Sequence, residues 1–448
     1  MADLPVLREF RTETTGDGIL HLVFDMPGRS MNVFSNAAIH EIEAFARWLH
    51  TADIRGVVIR SGKASAFCVG AHLGELGIAY DMIVAAPPSD RKRIARDHFA
   101  PIGRAFRTLE TAGKPVAAAI SGLALGGGCE LALGAHHRVL ADTPQTALGL
   151  PESLVGLLPG GGGTQRLPRL IGVEKSLPIL LKGARLSPAD ALAAGAAHAV
   201  VPAGDEVTAA ERWVRTTTAA GQPWDRPDWR APSTTQVDDA LTAVRQAILG
   251  ETGGHYPAPL AILDCLARGL PRAMDAAIAE EIDVFADLIR RPEPRNMIQT
   301  LFLGKQDYDK RRKAGTLPDV VAAVVAEVGA TLQDVADADA AAFAGFGGGR
   351  NPSPSAAWSA RDGLWFEQPQ SDLERRAARL MTAAASAVRS RAAVLTGEEQ
   401  RLADYATVKE LGFPAYAGGP FAVLARLPSP SAAGGGGRRP EGEPTRSP

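Results

Sequence analysis

Two runs of glycine constrain this chain more than any other feature. Gly126, Gly127 and Gly128 stand together, and residues 160–163 are four glycines in succession. Glycine has no Cβ, so it admits positive φ and lets another backbone or a ligand approach closely. Short apolar runs rich in β-branched residues precede these turns. Ile19–Phe24, 56–60 and Val116–Ile120 read as buried strands. Between them, Ser35 is placed to cap a helix with Ile39, Ile42, Phe45 and Leu49 on one face, and 91–109 is a second helical stretch. Strand and helix signals that alternate through glycine-rich turns predict an α/β fold with ligand chemistry at those turns.

The rest of the sequence sets the limits. At 448 residues the chain should hold two or three folded units. Its net charge of −2 gives no footprint for nucleic acid or a polybasic membrane anchor. Cys68, Cys129 and Cys265 are too few and too scattered for a disulfide framework or a four-ligand zinc site, so a reducing compartment is expected. The charged first fifteen residues lack the apolar core of a secretory signal. The longest charge-free stretches, 115–129 and 411–425, are too short to span a bilayer. A cytoplasmic protein is the expectation. Beyond residue 205 strand signals fade, and 206–219, 237–249 and 272–290 read as amphipathic helices. From residue 316 alanine-rich sequence leads into a Gly/Pro/Ser-rich stretch at 345–355, read as a linker. A further helix is expected over 373–391, and a low-complexity tail over 428–448.

Two carboxylates stand out near the glycines. Glu130 follows the triple glycine in what should be the first turn of a helix, where backbone N–H groups are unpaired. Such a turn can hold a developing oxyanion. Glu152 lies in a Pro-Glu-Ser turn some twenty residues on. Two carboxylates brought together can hold one water and divide the base and acid roles. A structural reading stands beside this: glutamate favours a helix's first turn through the dipole, and Pro-Glu often simply starts a helix.

The segment 121–169 resembles the crotonase (enoyl-CoA hydratase/isomerase) superfamily, whose segments read GxALGGGxEL and then PExxxGxxPGxGGTQRLPR. Earlier, 66–76 (AFCVGAHLGEL) is similar to the family's FxxGAD loop, and the likeness runs in order over roughly 12–205. The resemblance implies a spiral of ββα units, trimers or hexamers, and CoA-thioester chemistry. It implies an oxyanion hole from the backbone N–H groups of Ala71 and Gly127, and a substrate site that also includes Ala66, Phe67, Gly70, His72, Leu73, Gly126, Pro151 and Gly160. Glu130 and Glu152 match the glutamate pair that marks hydratases within the family. By analogy Glu130 activates the water that attacks C3, and Glu152 protonates C2 of a trans-2-enoyl-CoA. The family's Asp after Gly-Ala is His72 here. An isomerase or hydrolase on the same fold, or a non-catalytic acyl-CoA-binding subunit, are the alternatives.

Tyr256–Leu260 (YPAPL) and 280–304 are similar to the linker of multifunctional fatty-acid oxidation α subunits, and 411–421 (LGFPAYAGGPF) to a motif of their dehydrogenase C-terminal domain. Those proteins join a hydratase to an NAD-dependent dehydrogenase, and a thiolase partner is implied by the same likeness. A nicotinamide site needs G-x-G-x-x-G between strand and helix. The nearest approach here, Gly345-Phe-Gly347-Gly-Gly-Arg350, ends in arginine. No cofactor, and no NAD in particular, is expected. The expected layout is a hydratase core over 1–205, a helical extension over 206–315, a linker over 316–370, a helical remnant over 371–427 and the tail. His136 and His137 are adjacent in a strand-like run and would face opposite ways, so they are read as packing residues rather than ligands of one ion. Arg290, Arg291 and Arg295 are read as a solvated face.

Overall fold

A computed structural model describes residues 3–217, 220–338, 364, 367, 369 and 372–427. The chain opens with the strands β1 (Phe10–Thr14) and β2 (Ile19–Phe24), then helix α1 (Asn36–Leu49). Next come β3 (Gly56–Ser61), β4 (Ala66–Cys68), α2 (Leu73–Ala85) and α3 (Arg91–Glu110). The third unit is β5 (Val116–Ile120), β6 (Leu123–Leu125) and α4 (Gly127–Gly134). The fourth is β7 (His137–Ala141), β8 (Ala147–Gly149), a 3-10 turn at Glu152–Val155, and α5 (Gly163–Ile171) with α6 (Val173–Lys182). The units β3-β4, β5-β6 and β7-β8 each send one strand to a large sheet and the next to a small one. The large sheet runs β1-β2-β3-β5-β7-β10 and the small one β4-β6-β8-β9, where β9 is Arg185–Leu186 and β10 is Ala199–Val201. The β1–β2 and β8–β9 pairs are antiparallel and the other pairs parallel. This is the crotonase-like spiral, and its chain is α/β.

Side-chain alternation explains how the large sheet is buried on both faces. Leu20, Val57, Ile59, Val116, Ala118 and Leu140 point into the main core. Ile19, Val58, Ala117 and Val139 point the other way, onto Ala210 and Val214. Those two residues belong to α8 (Glu206–Thr216), which follows α7 (Pro188–Ala194), so the sheet's second cover lies beyond residue 205.

The extension is helical: α9 (Thr234–Thr252), α10 (Pro257–Gly269) and α11 (Met274–Ile289). Leu260, Leu263 and Leu266 of α10, with Val284, Phe285 and Leu288 of α11, belong to the same core as the sheets. A second core gathers Val324, Val328, Leu380, Met381, Phe413 and Phe421, with Met297 among them. Asn296 Nδ2 donates to the Tyr416 carbonyl at 2.8 Å across the same junction.

Two sequence expectations are corrected here. The stretch expected as linker from residue 316 contains a helix, Asp319–Ala338. Alanine is the strongest helix former, and Val321, Val324, Val325, Val328 and Leu332 make one buried stripe. The Gly/Pro/Ser-rich stretch 345–355 and the tail 428–448 lie outside the described residues. The arginines read as a solvated face are half-buried and paired: Arg290 with Asp287 at 2.7 Å, Arg291 with Glu293 at 2.5 Å, Arg295 with Asp81 at 3.2 Å. Among the described residues no helix is long and apolar enough to cross a membrane.

Candidate active site

Two turns meet at the ends of β4 and β6. Gly70 and Gly126 have φ of 101° and 54°, and a Cβ built on Gly126 would stand 3.2 Å from Gly70 Cα. Only glycine allows that approach in that conformation. Each glycine is followed by a residue whose N–H is left over. Ala71 forms a parallel bridge with Phe34, made by Phe34 N–H to Gly70 O (2.8 Å) and His72 N–H to Phe34 O (2.9 Å). In that pattern Ala71's own N–H is directed away from Phe34. Gly127 is the first residue of α4, where an N–H has no intrahelical acceptor. Gly128 packs hard on β4: a Cβ there would lie 2.3 Å from the Cys68 carbonyl oxygen.

The same turn of α4 carries Glu130, buried to 2% exposure. Its Oε1 accepts from Gly161 N–H at 2.7 Å and Gly163 N–H at 2.8 Å, so the second glycine run is folded around this carboxylate. Gly160 lies under the Phe285 ring, where a Cβ would come within 3.1 Å. Arg166, fully buried, holds the loop from below: its Nη1 donates to Gly161 O at 2.7 Å, while Nε and Nη2 engage Glu110 at 2.7 and 2.9 Å. Glu152 approaches from the 3-10 turn, with Oε1 3.0 Å from the position a Gly126 Cβ would take. Its Oε2 is buried and has no hydrogen-bond partner among the described residues.

These surroundings make the two glutamates unequal. Burial pushes both carboxyls above the usual range. For Glu130 the Gly163 and Gly161 N–H groups and the Arg166 charge counter that push. For Glu152 the neighbouring Glu130 charge adds to it, and the carboxyl rises well above its ordinary value. Between the two, the surroundings favour the proton on Glu152 and the charge on Glu130. Cys129 is buried, and its thiol is held up by that burial and by both glutamates.

The remaining sequence candidates fall around this centre. His72 is the N-cap of α2: its Nδ1 accepts from Glu75 N–H at 3.2 Å, and its Nε2 lies 2.5 Å from Arg29 Nη2. The imidazole thus performs the capping an aspartate would. Leu73 opens α2, and Pro151 is the N-cap of the Glu152 turn. Ala66 and Phe67 have buried side chains in β4, so any contact they make with a ligand runs through the main chain. His136 bonds to the Glu110 carbonyl and accepts from Val116 N–H, while His137 stacks on Trp213 at 4.7 Å. Among the described residues no group of three or more His, Cys, Asp or Glu side chains is placed to hold a metal.

One residue of the site escaped the sequence reading. Glu281 of α11 has no exposed surface and reaches the second glycine run from the far side. It accepts from Gly162 N–H at 2.6 Å, from Thr164 N–H at 3.0 Å and from the Thr164 hydroxyl. The signal was present: Glu281 stands in register with Ile278, Ile282, Phe285 and Ile289, the buried stripe of its helix.

Residues 14–225 match the enoyl-CoA hydratase/isomerase family along the segment that builds the two sheets beyond β1, both glycine turns and both glutamates. That segment, a little under half of the chain, is similar to the enoyl-CoA hydratase/isomerase family. The likeness extends further, to proteins called fatty acid oxidation complex subunit alpha. The one from Shewanella amazonensis is 34% identical over 317 residues, which is 69% of this chain and 43% of that relative. The one from Shewanella loihica is 36% identical over 318 residues, again 69% and 43%. The chain spans less than half the length of these curated relatives. Among solved structures, an enoyl-CoA hydratase from Rhodobacter sphaeroides shares the fold, with a TM-score of 0.50 at 22% identity, covering 66% of this chain and 90% of that one.

Proposed function

We propose that this chain is an enoyl-CoA hydratase, adding water across the 2,3 double bond of a trans-2-enoyl-CoA to give a 3-hydroxyacyl-CoA. The observation that carries this is the glutamate pair, in which Glu130 Oε1 accepts from two backbone N–H groups while Glu152, its carboxyl raised well above the ordinary value, has an oxygen without a hydrogen-bond partner among the described residues. The thioester carbonyl would lie between Ala71 N–H and Gly127 N–H, which stabilise negative charge as it develops on oxygen. Glu130 takes a proton from water while the water oxygen bonds to C3. The electron pair of the double bond moves toward the thioester, and Glu152 returns a proton to C2. One water is added, and the proton gained by Glu130 and lost by Glu152 is redistributed between them before the next turnover.

Gly70, His72, Leu73, Gly126, Pro151 and Gly160, with the main chain of Ala66 and Phe67, are proposed to frame the acyl-CoA. Fatty-acid β-oxidation is the proposed setting, from the names of the relatives. We further propose a cytoplasmic location, a trimer or hexamer as the crotonase resemblance implies, and a thiolase partner as the resemblance to multifunctional α subunits implies. Loss of the conjugated enoyl-thioester absorbance on adding crotonyl-CoA and longer enoyl-CoAs tests the reading. Conversion of 3-enoyl to 2-enoyl-CoA without hydration would make the chain an isomerase, and release of free CoA thiol a hydrolase; either result replaces the hydratase.

A further inference from the structure

We propose that Glu281, supplied by the helical extension, is a positioning residue for the catalytic base: it holds the loop whose N–H groups hold Glu130. This rests on the hydratase reading above and deepens it. Four successive N–H groups, those of residues 161–164, are divided between two carboxylates. Gly161 and Gly163 serve Glu130, while Gly162 and Thr164 serve Glu281, with bonds of 2.6–3.0 Å throughout. Successive peptide groups turned to opposite sides require a conformation that glycine permits, and Gly162 has φ of 97°. A Cβ on Gly161 or Gly163 would come within 2.8 or 2.9 Å of a Glu130 oxygen, so the loop has no room to shift on that side.

Removing the acceptor on the other side leaves two buried N–H groups unpaired, a costly state that the loop can relieve only by moving. Any such movement carries Gly161 and Gly163 away from Glu130. Misplacement of a catalytic group by even an ångström can cost about 10²-fold in rate. The Thr164 hydroxyl also donates to Glu281 and in turn accepts from Gln165 Nε2 at 2.9 Å, so the bond is part of a closed network.

The arrangement also acts through charge. The groups that face Glu281 are Glu130 on α4, Arg166 and Arg169 on α5, Cys265 on α10 and, from the 3-10 turn, Glu152. An ionised Glu281 raises the Glu152 carboxyl, and an ionised Glu130 raises Glu281. Removing the charge that Glu281 acquires as it ionises should therefore lower the pH at which Glu152 titrates.

The test uses the full chain with crotonyl-CoA, comparing wild type, Glu281→Gln and Thr164→Val, with circular dichroism to establish folding. The glutamine keeps the shape but presents an N–H2 to a donor. For E281Q, kcat should fall on the order of 10²-fold with KM within about threefold of wild type, the split expected when positioning rather than binding is lost. The alkaline limb of its pH profile should move to lower pH. T164V, which loses one of the three bonds, should lose kcat by about three- to tenfold. Wild-type kcat and pH profile in folded E281Q would overturn the proposal, and so would a loss confined to KM or one that leaves the pH profile unmoved. If E281Q does not fold, T164V decides in the same terms. Amide hydrogen exchange over 160–166 separates this proposal from the reading it rests on. Should the wild type prove inert toward every enoyl-CoA, the hydratase reading falls, and unchanged exchange in the variants would overturn the loop role as well.

Discussion

Glu130 and Glu152 differ in what touches them rather than in what they are. Two N–H donors and a nearby guanidinium favour the anion at Glu130, while Glu152 faces that anion with an oxygen unpartnered among the described residues. Glu130→Gln and Glu152→Gln should each lower kcat by about 10²–10⁴, the scale of a positioned base or acid, with little change in substrate affinity. Steady-state kinetics on crotonyl-CoA check this, and near-normal hydration by either variant would end the two-carboxylate mechanism. The pH dependence follows from the same directions. The proposed reaction needs Glu130 ionised and Glu152 protonated, and both carboxyls are raised. Activity should therefore fall on the acid side at a pH above the ordinary carboxylate range, and fall again at higher pH as Glu152 ionises. Stability follows Glu281, whose carboxyl is pushed up to about 8 by burial and by Glu130. The folded chain then retains a proton that the unfolded chain has lost, so this contribution is complete below the unfolded value and is lost as pH rises through the folded one. The melting temperature of the wild type should drop between about pH 5 and 8, and that of E281Q should drop less over the same range.

At the scale of elements, the sequence was most legible where a full period fits. A continuous run of six buried residues made β2 readable, and Ser35 with its apolar face made α1 readable. Ser35 Oγ accepts from Ala38 N–H at 3.1 Å, so Ser35→Ala should cost about 1 kcal/mol in chemical denaturation. The small sheet was not legible, because β4, β6 and β8 are three residues each and show no period. Yet it is this sheet that aims both glycine turns. The glycines were readable as turns, but their partners were not: nothing along the sequence connects Gly128 to Cys68. Gly128→Ala would drive a Cβ into the Cys68 backbone, where it cannot be accommodated by a rotamer change. It should cost about 1–3 kcal/mol by overpacking, read as a lower midpoint in urea. The helix Asp319–Ala338 was hidden for a different reason, since a high alanine content suits both a linker and a helix. Only the valine stripe distinguishes them.

For the molecule as a whole, the family match ends at residue 225, but the packed core does not. Leu260, Leu263 and Leu266 of α10 and Val284, Phe285 and Leu288 of α11 are buried in the same cluster as the sheets. Polar ties run across the same boundary: Arg169 donates to the carbonyls of Gly269 and Arg272, Gln165 to that of Cys265, and the glycine loop to Glu281. The burial of Glu281 was legible in the stripe of its helix, but its partners were not, because they lie 117 and 119 residues away and only tertiary packing joins them. A chain ended after Asp225 would keep every motif of the family and both glutamates of the candidate site. It would also expose the apolar faces that α10 and α11 cover, and each buried side chain so uncovered is worth about 1.5–3 kcal/mol. Against a total stability of about 5–15 kcal/mol, the loss of even six such contacts is enough to unfold the remainder. The expected outcome is an insoluble or non-cooperatively unfolding fragment without hydratase activity, checked by solubility, circular dichroism on heating and the crotonyl-CoA assay. A soluble fragment of 225 residues with a sharp thermal transition and wild-type kcat would show instead that the spiral stands alone and that the extension contributes nothing to the site.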